Sequence, residues 1–262
     1  MSFYGNKFII HDILDHSLLE KAYNNFNLPD EVLTEAKISE RQEKFTHNIT
    51  SRKDNTQYPI MPVYIVLLYS DSTFDHIVEK FVKDQDYWHA SIAFDPELKY
   101  CYSFNFGEAE ANKFKGGLSF ESYDMYKEAH PNAEMQINCV LLDKESYNFV
   151  LDAVDFYIKN KKKTKYSFVN LAYSFVGHKT KNGLKYNLVC STFVDTILKS
   201  ADVDISNKKY SNLVKPDDLK KKNDNKKQFK LFEGNILKYS WQKVKEKVEQ
   251  LCTNIKNSWF SK

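Results

Sequence analysis

Apolar residues along the chain follow two rhythms, one typical of strands and one typical of helices. Residues 63–69 form a continuous apolar run rich in β-branched side chains, which predicts a buried strand. The segment KESYNFVLDAVDFYIKN, residues 144–160, has apolar side chains three and four positions apart, which predicts an amphipathic helix. The same spacing predicts a helix after residue 190 and a terminal helix with an apolar stripe at Trp241, Val244, Val248, Leu251 and Ile255.

Two short strands within WHASIAFDPELKYCYSFNF, residues 88–106, predict a β-hairpin. A three-residue loop at 96–98 pairs Asp95 with Lys99 and therefore places His89 opposite Asn105. Residues that face each other across two strands share a side of the sheet. One side of the hairpin is then aromatic and apolar, and the other carries only small or polar residues. The small or polar side consists of His89, Ser91, Ala93, Cys101, Ser103 and Asn105.

The remaining segments have weaker signals. Further helices are predicted within residues 11–26 and 72–83, and a further strand within 131–143. The segment KGGLSF, residues 115–120, is interpreted as a turn and loop, and residues 35–57 are interpreted as weakly apolar and partly extended.

Composition narrows the classes of function. The four cysteines, at positions 101, 139, 190 and 252, form no CxxC pair, which argues against a disulfide framework and a structural zinc site. The formal net charge is only +3, so the lysine-rich runs at 159–165 and 215–230 are interpreted as solvated faces. We expect no nucleic-acid partner, no metal and no organic cofactor. No secretory signal or bilayer-spanning run is recognisable, so we expect a cytoplasmic protein without a transmembrane segment.

Cys190 lies immediately before the apolar stripe of the helix in YNLVCSTFVDTILK, residues 186–199. At a helix N-terminus, unpaired backbone N–H groups and the helix dipole favour thiolate and lower the pKa of a thiol from about 8.5. The same N–H groups can hold an oxyanion after attack on a carbonyl. From its position alone, Cys190 is still better interpreted as a small buried structural thiol than as a nucleophile. A nearby base would favour the nucleophile.

His89 is the candidate base, because it lies on the small or polar side of the hairpin with room for a neighbour. An amide or hydroxyl beside an imidazole can fix its tautomer, as the third member of a catalytic triad does, and Asn105 is within cross-strand reach. Cys101 shares this side but lies mid-strand, away from any helix N-terminus, so it is a poor second nucleophile. Cys139 and Cys252 are interpreted as core residues.

The hairpin WHASIAFDPELKYCYSFNFG, followed about a hundred residues later by NLVCSTFVDTIL and then by VKPDDL, resembles the circularly permuted papain-like hydrolases. These proteins are the permuted form of the NlpC-type superfamily, with YiiX-like and lecithin retinol acyltransferase-like proteins as relatives. The similarity covers roughly residues 60–220. The histidine precedes the cysteine in this chain, as it does in the permuted members.

The resemblance implies a role for each matching residue. Cys190 is the nucleophile, and His89 is the general base that takes its proton. The third polar residue falls on the second hairpin strand, where this chain offers Asn105 or Ser103, and the register favours Asn105. The candidate oxyanion donors are the backbone N–H groups of Cys190 and Ser191 and the hydroxyl of Tyr186.

We therefore expect an α+β fold with a permuted papain-like antiparallel sheet. A helical extension is expected at 1–59, a thiol hydrolase core at 60–220, and a basic linker with an amphipathic helix at 221–262. The main hypothesis is a cysteine hydrolase of the amidase or peptidase class that cleaves peptides, amides or lipid esters through an acyl-enzyme. Two alternatives remain open. One is an acyltransferase, and the other is a non-catalytic module of a larger assembly, such as a phage particle, that binds partners through the terminal helices and is located in the virion.

Overall fold

Six antiparallel strands form the central sheet of the structure, a computed structural model that describes residues 35–54, 60–69, 85–105, 116–167, 185–220 and 228–260. The helices predicted within 11–26 and 72–83 lie outside these residues. The strands of the described residues are β1 (Ile60–Tyr69), β2 (His89–Ala93), β3 (Cys101–Asn105), β4 (Gly117–Glu121), β5 (Glu134–Asp143), β6 (Lys165–Tyr166), β7 (Asn187–Leu188) and β8 (Gln228–Asn235). The α-helices of the same residues are α1 (Glu35–Asp54), α2 (Tyr123–Ala129), α3 (Lys144–Lys159), α4 (Cys190–Lys199) and α5 (Trp241–Phe260).

The strand order in the sheet is β4-β3-β2-β1-β5-β8, and β6 and β7 form a separate parallel pair. β1 is an interior strand that pairs with β2 on one side and β5 on the other. Its residues 63–67 are almost completely buried, which confirms the strand predicted from their apolar run. The predicted α+β class with an antiparallel sheet is also confirmed.

An apolar layer covers each face of the sheet, and successive side chains of β1 contribute to the two layers in alternation. Val63, Ile65 and Leu67 point to the first layer, which includes residues of α1, α3 and α4. Tyr64 and Val66 point to the second layer, which includes residues of α2, β8 and α5. A strand with apolar side chains on both faces is what a sheet covered on both sides requires.

The hairpin of β2 and β3 has the predicted register. Ile92 pairs with Tyr102, and Ala93 pairs with Cys101. The first pair lies in the layer with α4, and the second pair lies in the layer with α2 and α5. The small or polar side is therefore covered as well, because helix α2 and the C-terminal elements pack over it.

The three helices predicted from apolar periodicity are present as α3, α4 and α5. α3 begins at an N-cap, Asp143, whose carboxylate accepts a hydrogen bond from the backbone N–H of Ser146 over 2.8 Å. On α5, Val244 and Val248 are buried, whereas Trp241 is 36% exposed. The terminal stripe is thus mostly a packing surface. Within the described residues, the helices are all too short or too polar to span a membrane.

Among the described residues, the interpretation of 35–54 as partly extended and that of 117–120 as a turn and loop are wrong. Residues 35–54 form α1, which docks through Phe45, whose ring stacks on Phe120 with centroids 4.6 Å apart. Residues 117–121 form β4, whose first residue, Gly117, lies so close to Thr164 that an added Cβ would be 2.6 Å from its Oγ1. The glycine therefore permits a close approach of two backbone segments rather than a turn.

β8 lies at an edge of the main sheet and pairs with β5. The sheet therefore extends past residue 220, where the sequence pattern ends the predicted core. α1 likewise contributes Phe45 and Ile49 to the first apolar layer, although it lies within the segment described as an N-terminal extension.

Candidate active site

Cys190 is the first residue of α4, and local hydrogen bonds determine where this helix begins. The N-cap is Val189, whose backbone is extended. Its N–H donates to Thr192 Oγ1 over 2.9 Å, and its carbonyl accepts the first helical bond from Phe193 over 2.9 Å. The N–H groups of Cys190, Ser191 and Thr192 come before that bond, so they lie at the positive end of the helix.

The hairpin brings an imidazole to this sulfur. His89 is the first residue of β2, and Cys190 Sγ is 3.8 Å from the carbonyl oxygen of Trp88, the residue before it. The Cys190 thiol lies close enough to the His89 side chain to raise the pKa of the imidazole. Cys190 is 4% exposed and the His89 side chain is 17% exposed. The thiol is thus shielded, while part of the imidazole reaches the surface.

A buried carboxylate lies against the other side of the imidazole. His89 Nε2 is 2.9 Å from Oε2 of Glu121, the last residue of β4. The Glu121 side chain is only 3% exposed. Because Nε2 is engaged by the carboxylate, we infer that Nδ1 is the ring nitrogen that serves the thiol of Cys190.

The Glu121 carboxylate is held by further hydrogen bonds. Asn105 Nδ2 donates to its Oε1 over 3.3 Å, and the hydroxyl of Tyr126 on α2 donates to its Oε2. The Tyr126 oxygen is in turn 3.0 Å from the Ser91 hydroxyl. Bonds to the charged form of a carboxylate stabilise it, so the position and the charge of Glu121 are both fixed.

The site favours an ion pair between Glu121 and His89. Burial lowers the pKa of His89, but the Glu121 carboxylate and the Cys190 sulfur outweigh burial and hold that pKa well above 6.5. Burial raises the pKa of Glu121, but the charge of the imidazole and the hydrogen bonds to the carboxylate outweigh it, so the pKa lies below 4.5. At neutral pH the imidazole of His89 therefore carries a positive charge near the sulfur of Cys190.

The two residues predicted for the third role have other contacts. Ser103 donates its hydroxyl proton to the carbonyl oxygen of Ala90 over 2.7 Å and is fully buried. Asn105 lies at the end of β3 and donates to Glu121. The structure therefore gives the place against Nε2 of His89 to Glu121, with Asn105 as a support for the carboxylate.

The predicted oxyanion donors are only partly brought together. Ser191 occupies the first turn of α4, where its backbone N–H is available, while its hydroxyl donates to the carbonyl oxygen of Val214 over 2.7 Å. Tyr186 instead stacks on Phe156 of α3, with ring centroids 5.9 Å apart. A different tyrosine, Tyr166 on β6, lies near the thiol.

Tyr166 lies near enough to Cys190 for the two groups to interact electrostatically. Burial, together with the charge of Cys190, raises the pKa of Tyr166 well above 10. The backbone N–H of Tyr166 donates to the carbonyl oxygen of Gly116 over 2.8 Å, which anchors β6 beside β4.

Glu121 and Tyr126 are the two site residues that the sequence pattern missed. A signal was present, because Leu118 and Phe120 alternate with Ser119 and Glu121, as they would on a strand with one apolar side. The two adjacent glycines at 116–117 favoured a turn instead, and the alternation is only four residues long.

The other cysteines are packing residues in this structure. Cys101 is completely buried in the second apolar layer, and burial raises the pKa of its thiol well above 9. Cys139 is completely buried in the same layer, and Cys252 packs against that layer while partly exposed.

No protein-family model, no curated protein and no solved structure matches this chain. Among the residues that the structure describes, no group of three or more His, Cys, Asp or Glu side chains is arranged to hold a metal ion. The basis for proposing a function is therefore the arrangement of Cys190, His89 and Glu121.

Proposed function

We propose that this protein is a cysteine-dependent hydrolase that cleaves an amide or ester bond through an acyl-enzyme on Cys190. One observation carries the proposal. A thiol at the N-terminus of a helix lies beside the residue pair Trp88 and His89, and the Nε2 of that histidine is 2.9 Å from a buried carboxylate. Nucleophile, base and orienting group are the three parts that covalent acyl transfer needs.

In the first step, the Cys190 thiolate attacks the carbonyl carbon of the substrate, and a carbon–sulfur bond forms. The carbonyl π electrons move to the oxygen, which the N–H groups of Cys190 and Ser191 are placed to stabilise. The tetrahedral intermediate collapses and the bond to the leaving nitrogen or oxygen breaks. The imidazolium of His89 gives its proton to that atom, so the leaving group departs neutral.

In the second step, water attacks the thioester carbonyl while His89, now neutral, accepts a proton from the water. Collapse of the second intermediate breaks the carbon–sulfur bond, releases the acid and returns the thiolate and imidazolium pair. Glu121 stays ionised throughout, because its task is to hold the imidazole in one orientation and to stabilise its charge.

The resemblance to permuted papain-like hydrolases supports the same assignment. In both, the histidine opens a β-hairpin and the cysteine starts a helix later in the chain. We propose a permuted papain-like core in which Glu121 takes the orienting role on the strand after the hairpin. All four cysteines are free thiols, which is consistent with the location that we propose, a reducing compartment such as the cytoplasm.

A thiol-reactive acyl probe tests the proposal. We expect the wild-type protein and a Cys101→Ala control to be labelled at residue 190, and Cys190→Ala to lose labelling. His89→Ala should slow labelling at neutral pH, because the thiolate loses its partner charge. Equal labelling of wild type, Cys190→Ala and Cys101→Ala would refute the assignment.

One observation favours a second candidate, a non-catalytic module of a larger assembly. Cys190 is only 4% exposed, and a sealed thiol cannot reach a substrate. Failure of small neutral thiol reagents to modify Cys190 in the folded protein, with full modification after unfolding, would support the module. Acyl transfer onto an acceptor other than water uses the same first step, and analysis of the products separates it from hydrolysis.

A further inference from the structure

Lysines are concentrated in the part of the chain that contains the proposed nucleophile. Between Asp155 and Asp195 the sequence has eight lysines and neither aspartate nor glutamate. Because the whole chain carries a formal charge of only +3, the rest of the chain is net negative. Where such lysines lie together on the surface, they produce a positive potential there.

The parallel strand pair brings part of this segment next to Cys190. Lys165 on β6 pairs with Asn187 on β7, and Tyr166 pairs with Leu188, two residues before Cys190. At about 3.3 Å per residue along a strand and about 4.8 Å between paired strands, the backbone of Lys165 lies about 11 Å from Cys190 at the start of α4. The electrostatic contact of Tyr166 with Cys190 agrees with this placement.

Four exposed lysines surround the strand pair, and we call Lys162, Lys163, Lys165 and Lys185 the lysine cluster. The ammonium groups of Lys163 and Lys185 lie over the Tyr186 ring, 5.9 and 5.6 Å from its centroid. An ammonium group over an aromatic face is attracted to the ring and, at an exposed position, keeps its charge. Lys163 and Lys185 therefore have defined positions beside the strand pair, and Lys162 and Lys165 are their exposed neighbours.

We infer that the substrate of the proposed hydrolase carries a negative charge, a carboxylate or a phosphate, close to the bond that is cleaved. The lysine cluster would attract that charge and hold it beside Cys190. This inference rests on the proposed function, because it names the substrate class of the same site. It also gives the lysine run at 159–165 a role that a solvated face would not have.

A pair of alkylating reagents tests the inference without a known substrate. Iodoacetate and iodoacetamide both form a carbon–sulfur bond with a thiolate and release iodide, but only iodoacetate is negatively charged. The ratio of their rates at Cys190, divided by the ratio for the neutral thiol N-acetylcysteine amide, reports the local potential. We expect this normalised ratio to favour iodoacetate by about tenfold at low salt and to fall clearly at 0.15 M salt, because exposed charges are screened.

Charge-removing variants locate the source of the potential. Combined Lys162→Gln, Lys163→Gln and Lys165→Gln substitutions should lower the normalised ratio by about threefold or more, and the corresponding arginine substitutions should preserve it. The matched control removes three exposed lysines near α5, on the other face of the sheet: Lys238→Gln, Lys243→Gln and Lys245→Gln.

The outcomes separate this inference from the proposed function. A normalised ratio near one, or an equal fall in both triple variants, would overturn the anionic substrate and leave the hydrolase untouched. Failure of both reagents to modify Cys190 in the folded protein would overturn the hydrolase and the substrate class together. Retention of the ratio in the control, with its loss in the cluster variant, would support the inference.

Discussion

Glu121→Gln removes a negative charge from the buried side of His89 and keeps nearly the same side-chain shape. The two groups are 2.9 Å apart and the carboxylate is 3% exposed, so solvent screens their attraction poorly. An opposite charge at such a distance raises the pKa of a histidine by about 1–3 units, which corresponds to about 1.4–4 kcal/mol. Without it, burial is opposed by Cys190 alone, and the pKa of His89 should fall by about that amount.

NMR titration of the His89 imidazole measures this fall directly. The same variant should move the alkaline limb of hydrolysis to lower pH by a similar amount, because the leaving group needs a protonated imidazole. Glu134→Gln is the matched control, since Glu134 is exposed at the start of β5. An unchanged pKa of His89 in Glu121→Gln would show that the carboxylate does not stabilise the imidazolium, and the proposed roles would then be wrong.

Three further outcomes concern stability and can be measured by urea unfolding. Folding lowers the pKa of Glu121 and raises that of His89. The reference is a His89→Gln, Glu121→Gln double variant, in which both positions are neutral. Relative to that variant, the pair should make its full contribution to the free energy of unfolding between about pH 4.5 and 6.5. This contribution should decline as the pH falls through the folded pKa of Glu121 or rises through the folded pKa of His89. A difference in unfolding free energy between the two proteins that does not change with pH would contradict this. Gly117→Ala should cost about 1–3 kcal/mol, because the added Cβ would lie 2.6 Å from Thr164 Oγ1, and an unchanged midpoint would contradict the close approach. Phe45→Ala should cost about 3–5 kcal/mol, whereas Lys44→Ala on the exposed side of α1 should cost little.

The parts of the fold that the sequence predicts well are those with long, regular patterns. α3 and α5 repeat their apolar positions over four or more turns, and the apolar run at 63–67 sits in the middle of β1. The hairpin register followed from one loop length, and it correctly separated the two faces of β2 and β3. In each case the signal is local, and the tertiary structure did not override it.

The missed elements lack such a signal. β4 has five residues and α2 has seven, too few for either periodicity to stand out. α1 is mostly polar, and it is docked by a few contacts, such as Phe45 on Phe120 and the Asn48 amide that donates to the Tyr102 hydroxyl over 3.0 Å. Those partners lie more than fifty positions away in sequence, so a reading of neighbouring residues does not find them.

Glu121 was missed for a related reason. Glutamate is rarely buried, and a carboxylate is normally expected at the surface. Its burial here depends on His89, Asn105 and Tyr126, which come from three other elements of the structure. The carboxylate lies on β4, the strand that pairs with β3, and the sequence pattern does not predict that pairing.

Stability alone does not account for the buried pair of His89 and Glu121. Replacing a buried ion pair with well-packed apolar residues is often neutral or stabilising, because both charges lose their hydration when they are buried. The sheet here has apolar layers on both faces, so apolar side chains at these two positions would have neighbours to pack against. What they would lack is a charge beside Cys190. The pair is therefore better explained by the thiol that the imidazole contacts than by the free energy of folding, and this is the physical basis for treating the three residues as one functional unit.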